Sequence, residues 1–522
     1  MSRINTNVAS QIAQRVLSYN NTALNHTLER LSTGLRINRG KDDPAGLIAS
    51  ENLRAEKTAI ETSINNAERA DQVVNIAEGG LDEIGALLNE VQALVTQTAN
   101  SAGLSKEEKE ANQLQIDSIL QTIDRVAAAT SFQGVKLLNG NFDFQTNNIS
   151  AAVSAFKVNG AKLGFGETRD VDVVVTASAQ VAGFFLSLGA NNLNLGGSGS
   201  ADGADEQFVL EIAGALGSRE LSFASGTSLA AVVAAINSFT DVTGVAASVS
   251  GTTGIRLEST EYGSDEFVSV KMVNAGSIGT ASNIGIYNLQ AADAEAADTS
   301  THVDFDAVAA QNGVTDSGQD VSATINGIIA TTKGTIARIN TDFLDVEVNL
   351  LYDPSASTAN AARLGAISAF EITGGGADFQ LAPRVDIAGK VSLGIQNVAV
   401  REIGRIDDGT SVSFLSDLAS GKSLNLVDGD LGMAQQVIER AIRDVSSLRG
   451  RLGAFQQNTV GATIRSLNVA LENTTAAESI VRDADFASET ASLTRAQILV
   501  SSATNILAIA NAQPQNALQL LG

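Results

Sequence analysis

Residues 60–95 read IETSINNAERADQVVNIAEGGLDEIGALLNEVQALV. Ile60, Ala67, Val74, Leu81, Leu88 and Val95 fall seven apart, and Ala70, Ala77, Ile84 and Val91 occupy the second apolar position of the same repeat. A seven-residue period held this long marks a coiled-coil-like seam, because two turns of a slightly underwound helix return a side chain to the same face. Pro44 suits a first helical turn, so the pattern predicts one helix from about Pro44 to Asn100.

The flanking sequence follows the same logic. A first helix is predicted over about Asn5–Gly34, with Ile4, Val8, Ile12, Val16, Leu24, Leu28 and Leu31 on one face. Gly34, Gly40 and Pro44 then interrupt it. A third helix is predicted over Lys106–Ala129, ending before the turn-like Ser131-Phe132-Gln133-Gly134. Near the other end Leu431, Ile438, Val445 and Leu452 are seven apart, matched by Ala434, Ala441, Leu448 and Phe455. A last segment places Leu493, Ala496, Val500, Ala503, Leu507 and Ala510 at spacings of three and four. The four prolines, Pro44, Pro354, Pro383 and Pro514, fall at or beyond the ends of these predicted helices.

An amphipathic helix of this kind needs a partner for its apolar face. Antiparallel pairing of the two ends brings the termini together and leaves the middle at the far end. Periodicity alone leaves open whether the partners lie in one chain or in several copies.

Residues 140–425 are rich in Gly, Val, Thr, Ser and Ala. Val171-Asp172-Val173-Val174-Val175, Phe208-Val209-Leu210-Glu211-Ile212, Gly254-Ile255-Arg256-Leu257-Glu258 and Val346-Glu347-Val348-Asn349-Leu350 read as strands, and Ser228–Asn237 as a helix. The expected fold class is therefore α+β multidomain. Long N- and C-terminal helices pair as coiled-coil-like bundles around a β-rich central insertion, with two subdomains split near residues 290–318.

The 522 residues carry a net charge of −24. Residues 141–390 hold 28 Asp and Glu against 11 Lys and Arg, so most of that charge sits in the middle. The balance argues against nucleic-acid binding and against an anionic membrane surface. No run approaches the ~18 apolar residues of a membrane span, and the N-terminus lacks the apolar core of a secretory signal.

Without cysteine, disulfides and thiol chemistry are excluded. Neither HExxH nor a phosphate-binding loop occurs, and the two histidines, His26 and His302, lie far apart in sequence. No catalytic, cofactor or metal site is expected. Gly196–Asp202 matches a calcium-binding nonapeptide once, with Ala201 where an Asp belongs, and reads as a loop. The sequons at Asn148 and Asn473 read as chance.

Two stretches are more specific: Leu31-Ser32-Thr33-Gly34-Leu35-Arg36-Ile37-Asn38-Arg39-Gly40-Lys41-Asp42-Asp43-Pro44-Ala45-Gly46, and Ala476-Ala477-Glu478-Ser479 with Arg482-Asp483-Ala484-Asp485-Phe486-Ala487-Ser488-Glu489 and Gln497-Ile498-Leu499. With the opening Ile4-Asn5-Thr6-Asn7 and the closing Leu518-Gln519-Leu520-Leu521, they closely resemble bacterial flagellin over about 1–140 and 395–522. Residues 205–275 resemble, more weakly, an insert module of flagellins and hook-associated proteins.

The resemblance implies a helical homopolymer, the flagellar filament, secreted by the type III export apparatus. Its partners would be the filament cap, hook-associated proteins and a flagellin-specific chaperone. Residues 1–44 and 483–522 would be inner-core arms, 45–140 and 396–482 an outer-core rod, and 141–395 the variable surface insertion. The implied assembly interface comprises Val8, Ile12, Val16, Leu24, Leu28, Leu31, Leu493, Val500, Ala503, Leu507 and Ala510. The rod seam comprises Ile60, Val74, Leu81, Leu88, Val95, Ile438, Val445 and Leu452. Many flagellins carry an Arg-rich surface read by an innate immune receptor. Here Leu94 is kept but Glu90 and Gln92 stand at the usual Arg positions, so weak recognition is expected. The rival readings are a hook–filament junction protein, a filament-displayed glycan-binding module, and a coiled-coil scaffold unrelated to motility.

Overall fold

The computed structural model describes residues 6–100, 103–164, 166–189, 192–193, 195, 207–276, 278, 283–290, 293–350, 362–407 and 411–519. The Gly196–Asp202 stretch, Pro354, and half of the opening and closing signature residues (Ile4, Asn5, Leu520 and Leu521) lie outside them. Seven helices organise the described chain: α1 Val8–Thr33, α2 Pro44–Thr98, α3 Lys106–Ala129, α4 Leu229–Asn237, α5 Leu431–Ala454, α6 Gly461–Arg482 and α7 Phe486–Gln519. The chain forms two compact units. One comprises Met1–Asn75, Phe379–Lys390 and Arg451–Gly522, the other Ile76–Asp378 and Val391–Gly450.

In the second unit the heptad seam of α2 is closed from two sides. Leu81, Ile84, Leu88 and Val91 are fully buried, as are Ile438 and Ala441 of α5 and Ile116 and Ile123 of α3. Arg449 of α5 reaches Asp82 at 2.9 Å and Glu78 at 3.4 Å on α2. Helix α3 starts at a capping box in which Ser105 Oγ accepts from Glu108 N and Glu108 Oε2 accepts from Ser105 N. Its buried Gln113 is satisfied on both sides, donating to Leu418 O at 2.9 Å and accepting from Leu426 N at 2.7 Å.

The β-rich part of this unit holds two cores, each walled by a five-stranded and a four-stranded antiparallel sheet. The first runs through Val171, Val173, Ile325, Val346, Val348 and Ile372. The second runs through Phe184, Leu186, Phe208, Leu210, Leu257 and Val270, with α4 packed on it through Leu229, Val232 and Ile236. The cores are nested, not successive. Ala182 to Ala310 build the second, and chain on both sides of that span builds the first. Gln180 and Gln319 exchange backbone hydrogen bonds at 2.8 and 3.0 Å where the chain leaves and returns. The boundary expected near 290–318 falls just before the return crossing.

In the first unit α2 is joined antiparallel by α6 through Arg54–Glu478 at 3.7 Å and Arg482–Glu51 at 3.2 Å. Between α5 and α6 the helix widens into one π-helical turn, Phe455–Val460. The buried series Leu452, Val460 and Leu467 steps by eight and then seven. One extra residue is therefore absorbed in this turn, which the heptad reading does not register. Gln456 Nε2 donates to Asp71 Oδ1 at 2.7 Å and Asn75 Oδ1 at 2.9 Å beside it. Helix α7 also departs from expectation at its end, since it continues through Pro514.

Candidate assembly surface

Helices α1 and α7 pair antiparallel over their lengths. Ser10 Oγ donates to Asn511 Oδ1 at 2.7 Å, Asn20 Nδ2 to Leu499 O at 3.3 Å, and Arg30 to Glu489 Oε1 at 3.1 Å. Ten residues forward in α1 correspond to twelve and then ten residues back in α7. The buried residues are small: Ser10, Ala13, Asn20 and Thr27 of α1, and Ala496, Ala503 and Ala510 of α7. Alanine every seventh residue lets the backbones approach closely, and the half-buried Leu17, Leu24, Leu31, Leu493, Val500 and Leu507 fill the alternate layers.

The signature stretch Leu31–Gly46 builds the turn that sends α1 into α2. Gly34 caps α1 in the left-handed conformation at φ 71°. Gly34 O accepts from Ala484 N at 2.9 Å, and Arg36 N donates to Arg482 O at 2.7 Å. These bonds fasten the junction to the α6–α7 connection. Asp42 organises the loop. Its carboxylate accepts from Arg39 N at 2.9 Å and Asn38 N at 3.2 Å and faces His26 Nε2 at 3.2 Å. The Arg39 N–H chiefly holds this carboxyl below its ordinary 3.8, with His26 and the Asn38 N–H adding to it, against the opposing effect of burial. A Cβ on Gly46 would stand 2.4 Å from Asp43 Oδ2 and 2.6 Å from Ile37 Cδ1, so any other residue at this point of the α2 start requires those side chains to shift.

The outside of the α1/α7 pair is apolar. Val8, Ile12, Val16 and Tyr19 follow one another at helical spacing on α1 and are 43–75% exposed. On α7 Ile498, Leu499, Ile506 and Ile509 form a second stripe, 46–64% exposed. No charged residue occurs after Arg495. Residues Phe486–Gln513 are long and apolar enough by composition to cross a membrane. The search for an unbroken apolar run does not register this, because Ser, Thr, Asn and Gln interleave the aliphatic residues.

The residues implied as an assembly interface therefore divide. Val8, Ile12, Val16 and Leu28 are exposed, whereas Leu24, Leu31, Leu493, Val500 and Leu507 are half-buried and Ala503 and Ala510 buried. Those seven belong to the seam inside the chain. As a correction, the free surface of α7 is instead Ile498, Leu499, Ile506 and Ile509. Both stripes repeat at helical spacing, and only the packing tells them apart. The rod-seam residues Ile60, Val74, Leu81, Leu88, Val95, Ile438, Val445 and Leu452 are all at most 2% exposed.

Glu90 is exposed and accepts from Gln115 at 3.4 Å. Leu94, read from sequence as a surface residue, is buried at 7% exposure. The reason is α3, which lies along this side of α2, as the Asn112–Thr98 hydrogen bond of 3.0 Å shows.

His26 faces Asp42, and His302 Nε2 lies 2.7 Å from Ile284 O with its ring 4.9 Å from Tyr287. Among the described residues no three His, Asp or Glu side chains gather as a metal would require.

The flagellin of Salmonella rubislaw is 30% identical over 532 aligned residues, covering 99% of both chains. This chain belongs to the flagellin family. Family models agree: the bacterial flagellin N-terminal helical region matches residues 4–143, the C-terminal helical region 435–521, and the flagellin hook IN motif 207–261. Flagellin B of Helicobacter pylori is 27% identical over 556 residues, again with 99% of each chain covered. The flagellin of Aquifex aeolicus is also 27% identical over 556, covering 100% of this chain and 99% of its own. As a flagellin, the chain is a structural subunit of the bacterial flagellar filament, an extracellular motility structure.

Proposed function

We propose that α1 and α7 are the segments through which this flagellin polymerises, and that the outward stripes Val8/Ile12/Val16/Tyr19 and Ile498/Leu499/Ile506/Ile509 are covered by neighbouring copies. The observation that carries the reading is that the α1/α7 seam is already filled, by small residues alternating with half-buried Leu and Val side chains, while a second set of aliphatic residues points to water. Burying each aliphatic side chain is worth about 1.5–3 kcal/mol. Head-to-tail contacts that do not close into a ring then extend a filament.

On this reading residues 1–44 and 483–522 are the inner core, 45–140 and 396–482 the outer-core rod, and 141–395 the solvent-facing insertion, whose acidic balance suits it to water. A chaperone shields the C-terminal arm, which is uncharged after Arg495, before assembly. Type III export delivers the chain to a tip where the cap and hook-associated proteins are its other partners. The net charge of −24 supports neither nucleic-acid binding nor membrane insertion. Glu90 and buried Leu94 leave little of an innate-receptor surface.

Val16→Asp and Ile506→Asp test the reading. Each puts a charge where the filament excludes water, so seeded elongation should stop at concentrations where the parent grows, with the circular dichroism melt of the soluble chain unchanged. Growth at the parent's critical concentration would overturn it.

A further inference from the structure

The alanine ladder of α7 repeats every seven residues, so a slip of one heptad against α1 again sets small residues against leucines. Features that occur once have to choose the alignment, and the Ser10–Asn511 and Arg30–Glu489 contacts are two of them. Pro514 occurs once, inside α7. A proline has no N–H to give the carbonyl four residues back, and that carbonyl belongs to Ala510, the last buried rung of the ladder. Asn7 Nδ2 donates to Ala510 O at 2.7 Å, across 503 residues of chain. The same side chain's Oδ1 accepts from Ser10 N at 3.0 Å and so caps α1. Asn20 also reaches a carbonyl of α7, Leu499 O, but that carbonyl has the N–H of Ala503 four residues on.

We infer that Asn7 is a positioning residue for polymerisation: it recognises the gap that Pro514 leaves in α7, and by filling it adds to the Ser10–Asn511 and Arg30–Glu489 contacts in holding the register of α1 on α7 that sets the outward stripes opposite their neighbours. The inference rests on the reading of α1 and α7 as polymerisation arms. Asn suits the task because its amide donates from one end and accepts at the other, so a single side chain serves both helices. In a heptad-slipped pair Asn7 would face a carbonyl that already has its helical donor, and Ala510 O would be left without one in a part-buried place.

A double-mutant cycle tests this. N7D keeps the acceptor that caps α1, in a place where a negative charge is favourable, but has no N–H for Ala510 O. P514A gives Ala510 O a helical donor of its own. In the parent background N7D should raise the critical concentration for seeded filament growth about five- to tenfold. In the P514A background the same substitution should change it less than about twofold. An equal change in both backgrounds overturns the lock, as does no change in either when the amide exchange of α1 is unchanged as well. Amide exchange of α1 within filaments separates this from failure of the wider reading. If exchange follows the cycle while all four proteins share one critical concentration, the lock stands and the polymerisation role of the arms falls.

Discussion

The bundle of α2, α3 and α5 and the pair α1/α7 are built from the same kind of amphipathic helix, yet they distribute their side chains in opposite order. In the bundle Leu81, Ile84, Leu88, Ile116, Ile123 and Ile438 face one another, and Glu78, Asp82, Glu83 and Glu90 face water. In the pair Ala13, Asn20, Thr27, Ala496, Ala503 and Ala510 face inward, and Val8, Ile12, Ile498, Ile506 and Ile509 face water. The bundle has met its hydrophobic requirement within one chain. The pair has used its small residues to bring two backbones together and holds its aliphatic surface for contacts with other copies. A periodic apolar face is thus not enough to say what covers it: only the packing separates the private seam from the shared stripe.

Removing a whole arm should break the comparison most completely. Deletion of residues 1–35 or 484–522 should abolish filaments under negative-stain microscopy, while the bundle keeps a cooperative helical melt. Filaments from either truncated chain would show that the arms are dispensable. A smaller test pairs one residue from each region. Leu88→Ala leaves a cavity in a fully buried layer and should lower the unfolding free energy of the soluble chain by about 3 kcal/mol in urea titration. Ile506→Ala, at 55% exposure, should leave that titration within about 0.5 kcal/mol of the parent. Equal losses would mean that α7 is already part of the folded core.

The pH dependence of the junction is subtler. Because the folded-state carboxyl of Asp42 sits below 3.8, its contribution is fully present above that pH and is lost as the pH falls through the lowered value. Amide exchange around Asn38 and Arg39 should accelerate in that acid range, and Asp42→Asn should flatten the dependence. An identical acid limb in the variant would assign the loosening to other carboxylates. The least effect is expected from Glu90→Arg, which restores a positive charge on the α2 surface. Receptor activation by purified monomer should rise while filament growth is unchanged, and strong activation by the parent protein would show that Glu90 is no obstacle.

How much of this was legible without coordinates varies along the chain. The helical ends were, because Pro44 and long heptads are local signals, and α3 begins and ends at Lys106 and Ala129 as its pattern predicts. The strands were also legible one at a time: Val171–Val175 falls inside Arg169–Ala177, and Phe208–Ile212 inside Gln207–Gly214. Their nesting was not, since Val173 pairs with Ile325 and Ile367, and no local pattern records which distant strand is the partner. At the candidate surface the arms were legible but their two faces were merged. Val16 and Leu24 both satisfy a helical period, and only packing reveals that one is free and the other half-covered. Leu94 was misplaced for a related reason, because the residues covering it belong to α3 and not to its own helix.

The π-turn at Phe455–Val460 bears on how the chain finds its fold. A pair of regular heptad helices is translationally degenerate: sliding one by seven residues recreates nearly the same contacts, and each slipped pairing is a trap on the folding landscape. The single widened turn removes that degeneracy. Slid by one heptad, Gln456 would leave Asp71 and Asn75 and the eight-residue step would oppose a stretch of α2 with a different polar pattern. An irregularity that weakens the helix locally thereby rejects misregistered rods early, while the long helices are still searching for each other.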